Sequence, residues 1–131
     1  MSLIKASDDI KFSSDGVAYI TSYSYYEVKR LTITDQYIGT FRVIFDLEGS
    51  NYGYLYAYAK IYYNGSPIGT ERVKVDMGYE TFTEDFSNIR LKNGDIIAVW
   101  GYIPNPSGGK VKNFRVEFDL IMPDNSMFAV F

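Results

Sequence analysis

Apolar and polar residues alternate along several stretches of this 131-residue chain with the period of two that a half-buried strand requires. The clearest is Thr40–Glu48. Phe41, Val43, Phe45 and Leu47 fall on one face, Arg42, Ile44, Asp46 and Glu48 on the other. Val111–Met122 alternates likewise, with Phe114, Val116, Phe118, Leu120 and Met122 inward and Asn113, Arg115, Glu117 and Asp119 outward. In Tyr79–Phe86 the side bearing Glu80, Phe82, Glu84 and Phe86 opposes Tyr79, Thr81, Thr83 and Asp85, so either could face a core. Ile96–Ile103 (IIAVWGYI) is apolar on both faces and predicts a central strand covered on both sides. No segment sustains the 3.6-residue period of an amphipathic helix.

The strongest local signal is Asn51–Val75. Tyr54–Tyr63 reads as a tyrosine-rich strand, Asn64-Gly65 as a type I′ turn whose central residues need positive φ, and Pro67–Val75 as the returning strand. Ahead of it lie a short opening piece, Leu3–Phe12, and a turn at Ser13–Gly16. A β-prone run, Val17–Tyr26, and a further strand, Glu27–Thr34, lead to a loop at Asp35–Gly39. Pro104–Lys110 is the most loop-like segment, Pro123–Ser126 turns the chain, and Met127–Phe131 (MFAVF) ends it. This is an all-β pattern: a single antiparallel β-sandwich over residues 1–131, jelly-roll-like, with about eight or nine strands.

Composition agrees and narrows the chemistry. Aromatic residues make up 18%, from 13 Tyr, 9 Phe and 1 Trp, an enrichment typical of strands. Histidine and cysteine are both absent. That removes the usual general base, disulfides and thiolate metal sites. The serines, Ser13, Ser14, Ser22, Ser24 and Ser107, have no histidine to activate them, and Gly108-Gly109-Lys110 lacks phosphate-loop spacing. The carboxylates Glu80, Glu84, Asp85, Asp8 and Asp9 form no marked acid–base pair, and strand carboxylates ordinarily meet Lys or Arg across the sheet. Asp124-Asn125 sits in a turn without the spacing of a calcium loop. No enzyme activity, cofactor or metal is therefore expected. The 13 basic residues are scattered and net charge is -3, which argues against nucleic acid. No stretch reaches membrane-spanning length, and Met1–Phe12 carries no apolar run after a basic start, so no secretory leader is expected there.

Three surface features remain. Tyr54, Tyr56, Tyr58 and Tyr62 share one face of their strand, while Leu55, Ala57, Ala59, Ile61 and Tyr63 form the natural core face. Such a tyrosine row could meet another subunit, stack on a sugar or pack inside the protein. Met127, Phe128, Ala129, Val130 and Phe131 form either the last strand of their own sheet or a tail that adds to a neighbouring subunit. Trp100 lies in the most apolar strand, where core packing is expected and a sugar platform is the alternative.

Two longer segments, AKIYYNGSPIGTER from Ala59 to Arg72 and VKNFRV from Val111 to Val116, flank YETFTED from Tyr79 and LKNGDII from Leu91. In this order, over about Lys29 to Phe118, they resemble small β-sandwich modules of phage and archaeal-virus structural proteins, such as tail-fibre and virion-surface components. Leu91-Lys92-Asn93-Gly94-Asp95 is also similar to the Leu-x-x-Gly-Asp stretch of trimeric jelly-roll heads and some carbohydrate-binding modules. The first resemblance implies a non-enzymatic assembly protein of a virion, made in the host cytoplasm and partnered by copies of itself or by other virion proteins. The alternative expectation is an extracellular carbohydrate-binding module that takes a glycan on its surface aromatics.

Overall fold

A computed structural model describes residues 11–34, 39–49, 56–104 and 108–118. Most of the expected Leu3–Phe12 piece (residues 3–10), Tyr54 of the tyrosine row, the Pro123–Ser126 turn and the Met127–Phe131 tail lie outside them. Period-two alternation becomes alternating burial: Phe41, Val43, Phe45 and Leu47 are buried, and Arg42 between the first two is exposed. The strands are β1 (Lys11–Ser14), β2 (Ala18–Ile20), β3 (Tyr26–Thr32), β4 (Phe41–Glu48) and β5 (Tyr56–Tyr63). They continue with β6 (Ser66–Pro67), β7 (Arg72–Val75), β8 (Glu80–Phe86), β9 (Ile96–Tyr102) and β10 (Gly109–Phe118).

They form two antiparallel sheets packed face to face. One runs β1-β10-β4-β8, with β2 also on β10; the other runs β3-β9-β5-β6, with β7 also on β5. The core between them is built from residues such as Phe41, Leu47, Ile61, Val99, Phe114 and Phe118, all within 1% of complete burial. Phe82 and Phe86 turn inward from β8, Phe86 stacking on Phe41 at 5.3 Å, which settles the orientation that alternation left open. Glu84 shares their side but lies at the edge. It accepts the Thr70 N–H at 3.1 Å and pairs with Arg72 at 3.5 Å. Gly109 lets the sheets approach, since a Cβ there would lie 2.7 Å from that of Ala57.

The Asn64-Gly65 turn has φ values of 49° and 86°, as a type I′ hairpin requires. The returning strand is not continuous, as expected over Pro67–Val75, but divided. Tyr62 faces Pro67 and Ala59 faces Arg72. In between, the Ile68 and Gly69 N–H groups both donate to the Ile61 carbonyl. Pro67, which has no N–H, is accommodated at this edge. The run Val17–Tyr26 likewise breaks, β2 ending at Ile20 and β3 starting at Tyr26. Ser13 and Ser14 belong to β1 rather than to the turn.

The strand expected to be covered on both sides, β9, is central but covered by the core on one side only. Ile97 and Val99 are buried there. The opposite side is apolar because aromatic side chains of the same sheet cover one another.

Candidate ligand-binding face

The outer side of the second sheet gathers residues that are far apart in sequence. On β5 the outward positions are Tyr56, Tyr58, Lys60 and Tyr62; on β9 they include Trp100 and Tyr102. Register brings Tyr58 opposite Tyr102 and Lys60 opposite Trp100. Two parallel ring pairs result. Tyr62 stacks on Trp100 with centroids 4.1 Å apart and planes 3° from parallel, and Tyr58 stacks on Tyr102 at 4.7 Å and 7°. Tyr56 meets Tyr58 edge-on at 6.2 Å.

Tyr25, just before β3, lies across this surface. Its ring meets Tyr102 edge-on at 4.7 Å, and the Lys60 ammonium sits 4.8 Å above its centroid. Its hydroxyl donates to Glu71 Oε2 at 2.5 Å, bridging to the segment before β7. Burial pushes the Tyr25 hydroxyl well above the usual phenol range, and the Glu71 carboxylate that accepts its proton pushes it further. Burial also raises Tyr102, with the Glu71 charge adding to it. Both hydroxyls are therefore neutral donors at any physiological pH. On β3, facing Trp100 and Ala98, Glu27 and Arg30 form a bidentate pair at 2.7 and 3.1 Å. The rings are thus flanked by Glu27 and Arg30 on one side and by Glu71 on the other. Such a surface offers flat apolar faces to C–H groups, with donors and acceptors beside them.

Of the tyrosines expected in a row, Tyr56 is exposed at 39%, Tyr58 is half-buried and Tyr62 is only 8% exposed. Tyr62 is therefore not an open platform but the ring beneath one, because Trp100 and Tyr25 pack on it. Trp100, expected in the core, stands half-buried on this outer side instead, since its parity in β9 is opposite to that of Val99. Sequence reasoning missed Tyr25, Lys60, Glu71 and Tyr102. The parity of Trp100 pointed to Tyr102, but only strand pairing joins β9 to β5, and nothing in the sequence signalled the reach of Tyr25 to Glu71.

It also missed Asp95, which is 4% exposed and organises the adjoining end of this sheet. Its carboxylate accepts from Tyr63 Oη at 2.8 Å, the Lys92 N–H at 3.0 Å and Asn64 Nδ2 at 3.1 Å, with Lys92 Nζ at 3.4 Å. Burial alone would raise the Asp95 pKa; these donors outweigh it and hold the carboxyl below the usual carboxylate range. Asn64 also accepts the Ile96 N–H at 2.8 Å, so the hairpin turn is tied to the start of β9. This is structural chemistry: every oxygen of Asp95 is engaged within the chain.

Among the described residues there is no cluster of three or more His, Cys, Asp or Glu able to hold a metal, and no helix long and apolar enough to cross a membrane. A depression of about 340 Å³ lies away from the rings, lined by Ile68, Asp85, Phe86, Ser87, Asn88 and Ile89.

No protein-family model and no curated protein matches the chain. Several solved structures share its fold. The C-terminal domain of EclA, a sugar-binding protein, is 13% identical over 88% of this chain and 82% of that one, with a TM-score of 0.58. Eiger TNF from S. frugiperda is 9% identical over 92% and 98%, with a TM-score of 0.51. A family 35 carbohydrate binding module from Clostridium thermocellum is 14% identical over 87% and 95%, at a TM-score of 0.45. At these identities the likeness to the EclA domain and to Eiger TNF establishes the β-sandwich and nothing finer.

Proposed function

We propose that the chain is a non-enzymatic carbohydrate-binding module that stacks sugar rings on the outer aromatic face of the β3-β9-β5 sheet. The observation that carries this reading is the convergence of Tyr25, Tyr56, Tyr58, Tyr62, Trp100 and Tyr102 on one side of one sheet, bordered by Lys60, Glu71, Glu27 and Arg30. Aromatic faces suit the C–H side of a sugar ring, and charged side chains at the edges suit its hydroxyls. The sugar-binding EclA domain, which shares the fold, lends support. The competing role in virion assembly draws on a tail outside the described residues and on a tyrosine row that is partly buried within the chain. Neither EclA nor Eiger is described as a viral component.

A glycan array read with the wild type and with Trp100→Ala and Tyr58→Ala tests the reading. The expected result is binding to neutral glycans that falls at least tenfold in both variants. An array without hits, or hits that survive both substitutions, would overturn it. Light scattering on the same samples checks the assembly role. A defined oligomer that Tyr56→Ala dissociates, together with a blank array, would favour subunit contact.

A further inference from the structure

The chain carries the dipeptide Asn-Gly twice, at Asn64-Gly65 and at Asn93-Gly94. In such a pair no side chain shields the glycine nitrogen. It can close onto the asparagine carboxamide, a self-modification that needs only water. The two copies meet at Asp95: Asn64 is hydrogen-bonded to it, and Asn93 precedes it by two residues. The fold restrains them in opposite ways.

At Asn93-Gly94 the attacking group is tied. The Gly94 N–H donates to the Ile33 carbonyl at 2.8 Å, and the Ile33 N–H donates to the Asp95 carbonyl at 2.8 Å, with Ile33 fully buried. At Asn64-Gly65 the attacking group is open and its target is tied. Among the described residues the Gly65 N–H has no acceptor, and a Cβ added at Gly65 would meet nothing within 4 Å. The Asn64 carboxamide is held at both ends. Its Nδ2 donates to Asp95 Oδ1 at 3.1 Å, and its Oδ1 accepts the Ile96 N–H at 2.8 Å. Asp95 is only 4% exposed, so releasing Asn64 leaves a buried carboxylate short of a donor.

We propose that Asn64 is a site of hydrolytic deamidation that Asp95 keeps shut, and that one conversion opens this corner for good. The Gly65 nitrogen, its proton passed to solvent, bonds to Asn64 Cγ, and the Cγ–Nδ2 bond breaks to release ammonia. Water then opens the cyclic imide at one of its two carbonyls. The product is aspartate or, where the main chain is rerouted through the side chain, isoaspartate. Either one replaces the N–H donor facing Asp95 with a carboxylate, so like charges meet where donor met acceptor. Isoaspartate also lengthens the backbone of a turn built on φ values of 49° and 86°. The turn then loses its tie to the start of β9, beside the Tyr62–Ala98 and Tyr63–Ile97 pairs that join β5 to β9. The inference stands independently of the carbohydrate reading.

Peptide mapping by mass spectrometry after incubation in mildly alkaline buffer tests it, with the chain in urea giving the unrestrained rates. Folded wild type is expected to convert Asn64 at least tenfold more slowly than the unfolded chain, because conversion waits on local opening. Folded Asp95→Ala should convert Asn64 at least tenfold faster than folded wild type, with a smaller change at Asn93, whose glycine N–H remains on Ile33. Equal acceleration at both asparagines would mean lost stability alone and would overturn the guarding role. So would folded wild type that converts Asn64 as fast as the unfolded chain. If Asp95→Ala fails to fold, a pair exchange decides. Asn64→Asp should lower Tm, and adding Asp95→Asn should recover part of the loss, because an amide at position 95 again faces a carboxylate at 64. A single variant as stable as the wild type, or a double variant no more stable than the single, would overturn the one-way step.

Discussion

The two outer faces of the sandwich are held in different ways. On the β3-β9-β5 side, rings lie against rings: Tyr62 on Trp100 at 4.1 Å, Tyr58 on Tyr102 at 4.7 Å. On the β10-β4-β8 side, charges lie against charges: Arg42 with Asp85 at 2.7 Å, Lys110 with Glu48 at 3.5 Å, Arg115 with Asp15 at 3.2 Å. Ring stacking removes apolar surface from water and is indifferent to salt. Exposed ion pairs are screened and gain little. The first face is partly covered by its own side chains, with Tyr25 across it and Tyr56 left exposed. The second leaves its partners in the open, where they hold one another in place. What separates them is burial, and a charged residue placed on the buried side should behave quite differently from one on the exposed side.

Asp95, at the core-facing end of the first sheet and held there by Tyr63, against Asp85 on the outer side of the second carries that contrast of burial furthest. Asp95 is 4% exposed and holds Tyr63, Asn64 and Lys92, whereas the Asp85 side chain is 47% exposed and holds Arg42. Asp95→Ala leaves buried donors without an acceptor and is expected to cost about 3 kcal/mol, lowering Tm by about 10 °C. Asp85→Ala should cost under about 1 kcal/mol. Calorimetry of the two variants checks this, and an Asp95→Ala variant melting within about 2 °C of the wild type would remove the distinction. The acid limb follows the same logic. The Asp95 carboxyl is held below its unfolded value of 3.8, so its contribution is fully present above that pH and is lost as pH falls through the lower folded value. Asp85 is lowered too, by the hydrogen bond from Arg42. In Asp95→Ala the fall in stability below about pH 4 should be shallower than in the wild type.

Much of this was legible in the sequence, and the limit is physical. Period two in Thr40–Glu48 and Phe114–Phe118 matches the core faces, and Asn64-Gly65 the turn, because both are local properties; before Phe114 the bulge between Lys112 and Arg115 shifts the phase, so Val111, out of step with Phe114, is buried too. The break at Ile68–Glu71 was not legible, since it depends on two N–H groups sharing the Ile61 carbonyl. Trp100 was misassigned for a related reason. An apolar strand reads the same whether its second face meets another layer or the rings of its own sheet. Asp95 appeared only as the last residue of Leu91–Asp95. Its donors Tyr63 and Asn64 lie 32 and 31 residues away, beyond any local pattern.

A smaller effect separates a face that is closed from one that is merely covered. Tyr25→Phe keeps the ring on Tyr102 and removes the hydroxyl that donates to Glu71. The hydrogen bond lies near the surface, so the stability change should stay under about 1 kcal/mol. If Tyr25 closes the aromatic face, a neutral oligosaccharide that binds there should bind about two- to fivefold more tightly to the variant, because a larger fraction of molecules is open. Isothermal titration with an array-identified glycan measures this. Weaker binding would mean that the Tyr25 hydroxyl belongs to the ligand's own contacts and does not close the site.

The smallest effect is expected where the charged face looks best made. Arg42 and Asp85 face each other across β4 and β8, with Nε to Oδ1 at 2.7 Å and Nη2 to Oδ2 at 3.0 Å. This is the fork-to-fork geometry in which a guanidinium binds a carboxylate most strongly. Yet the two side chains are 45% and 47% exposed, so water competes for every donor and acceptor. Arg42→Ala should therefore cost about 0.5 kcal/mol in dilute buffer. Most of that difference should vanish in about 1 M salt, where the screening length falls to about 3 Å. Urea denaturation of wild type and variant at low and high salt measures it. A cost above about 2 kcal/mol that persists in salt would mean that the pair is shielded from water, and that the charged face is as closed as the aromatic one.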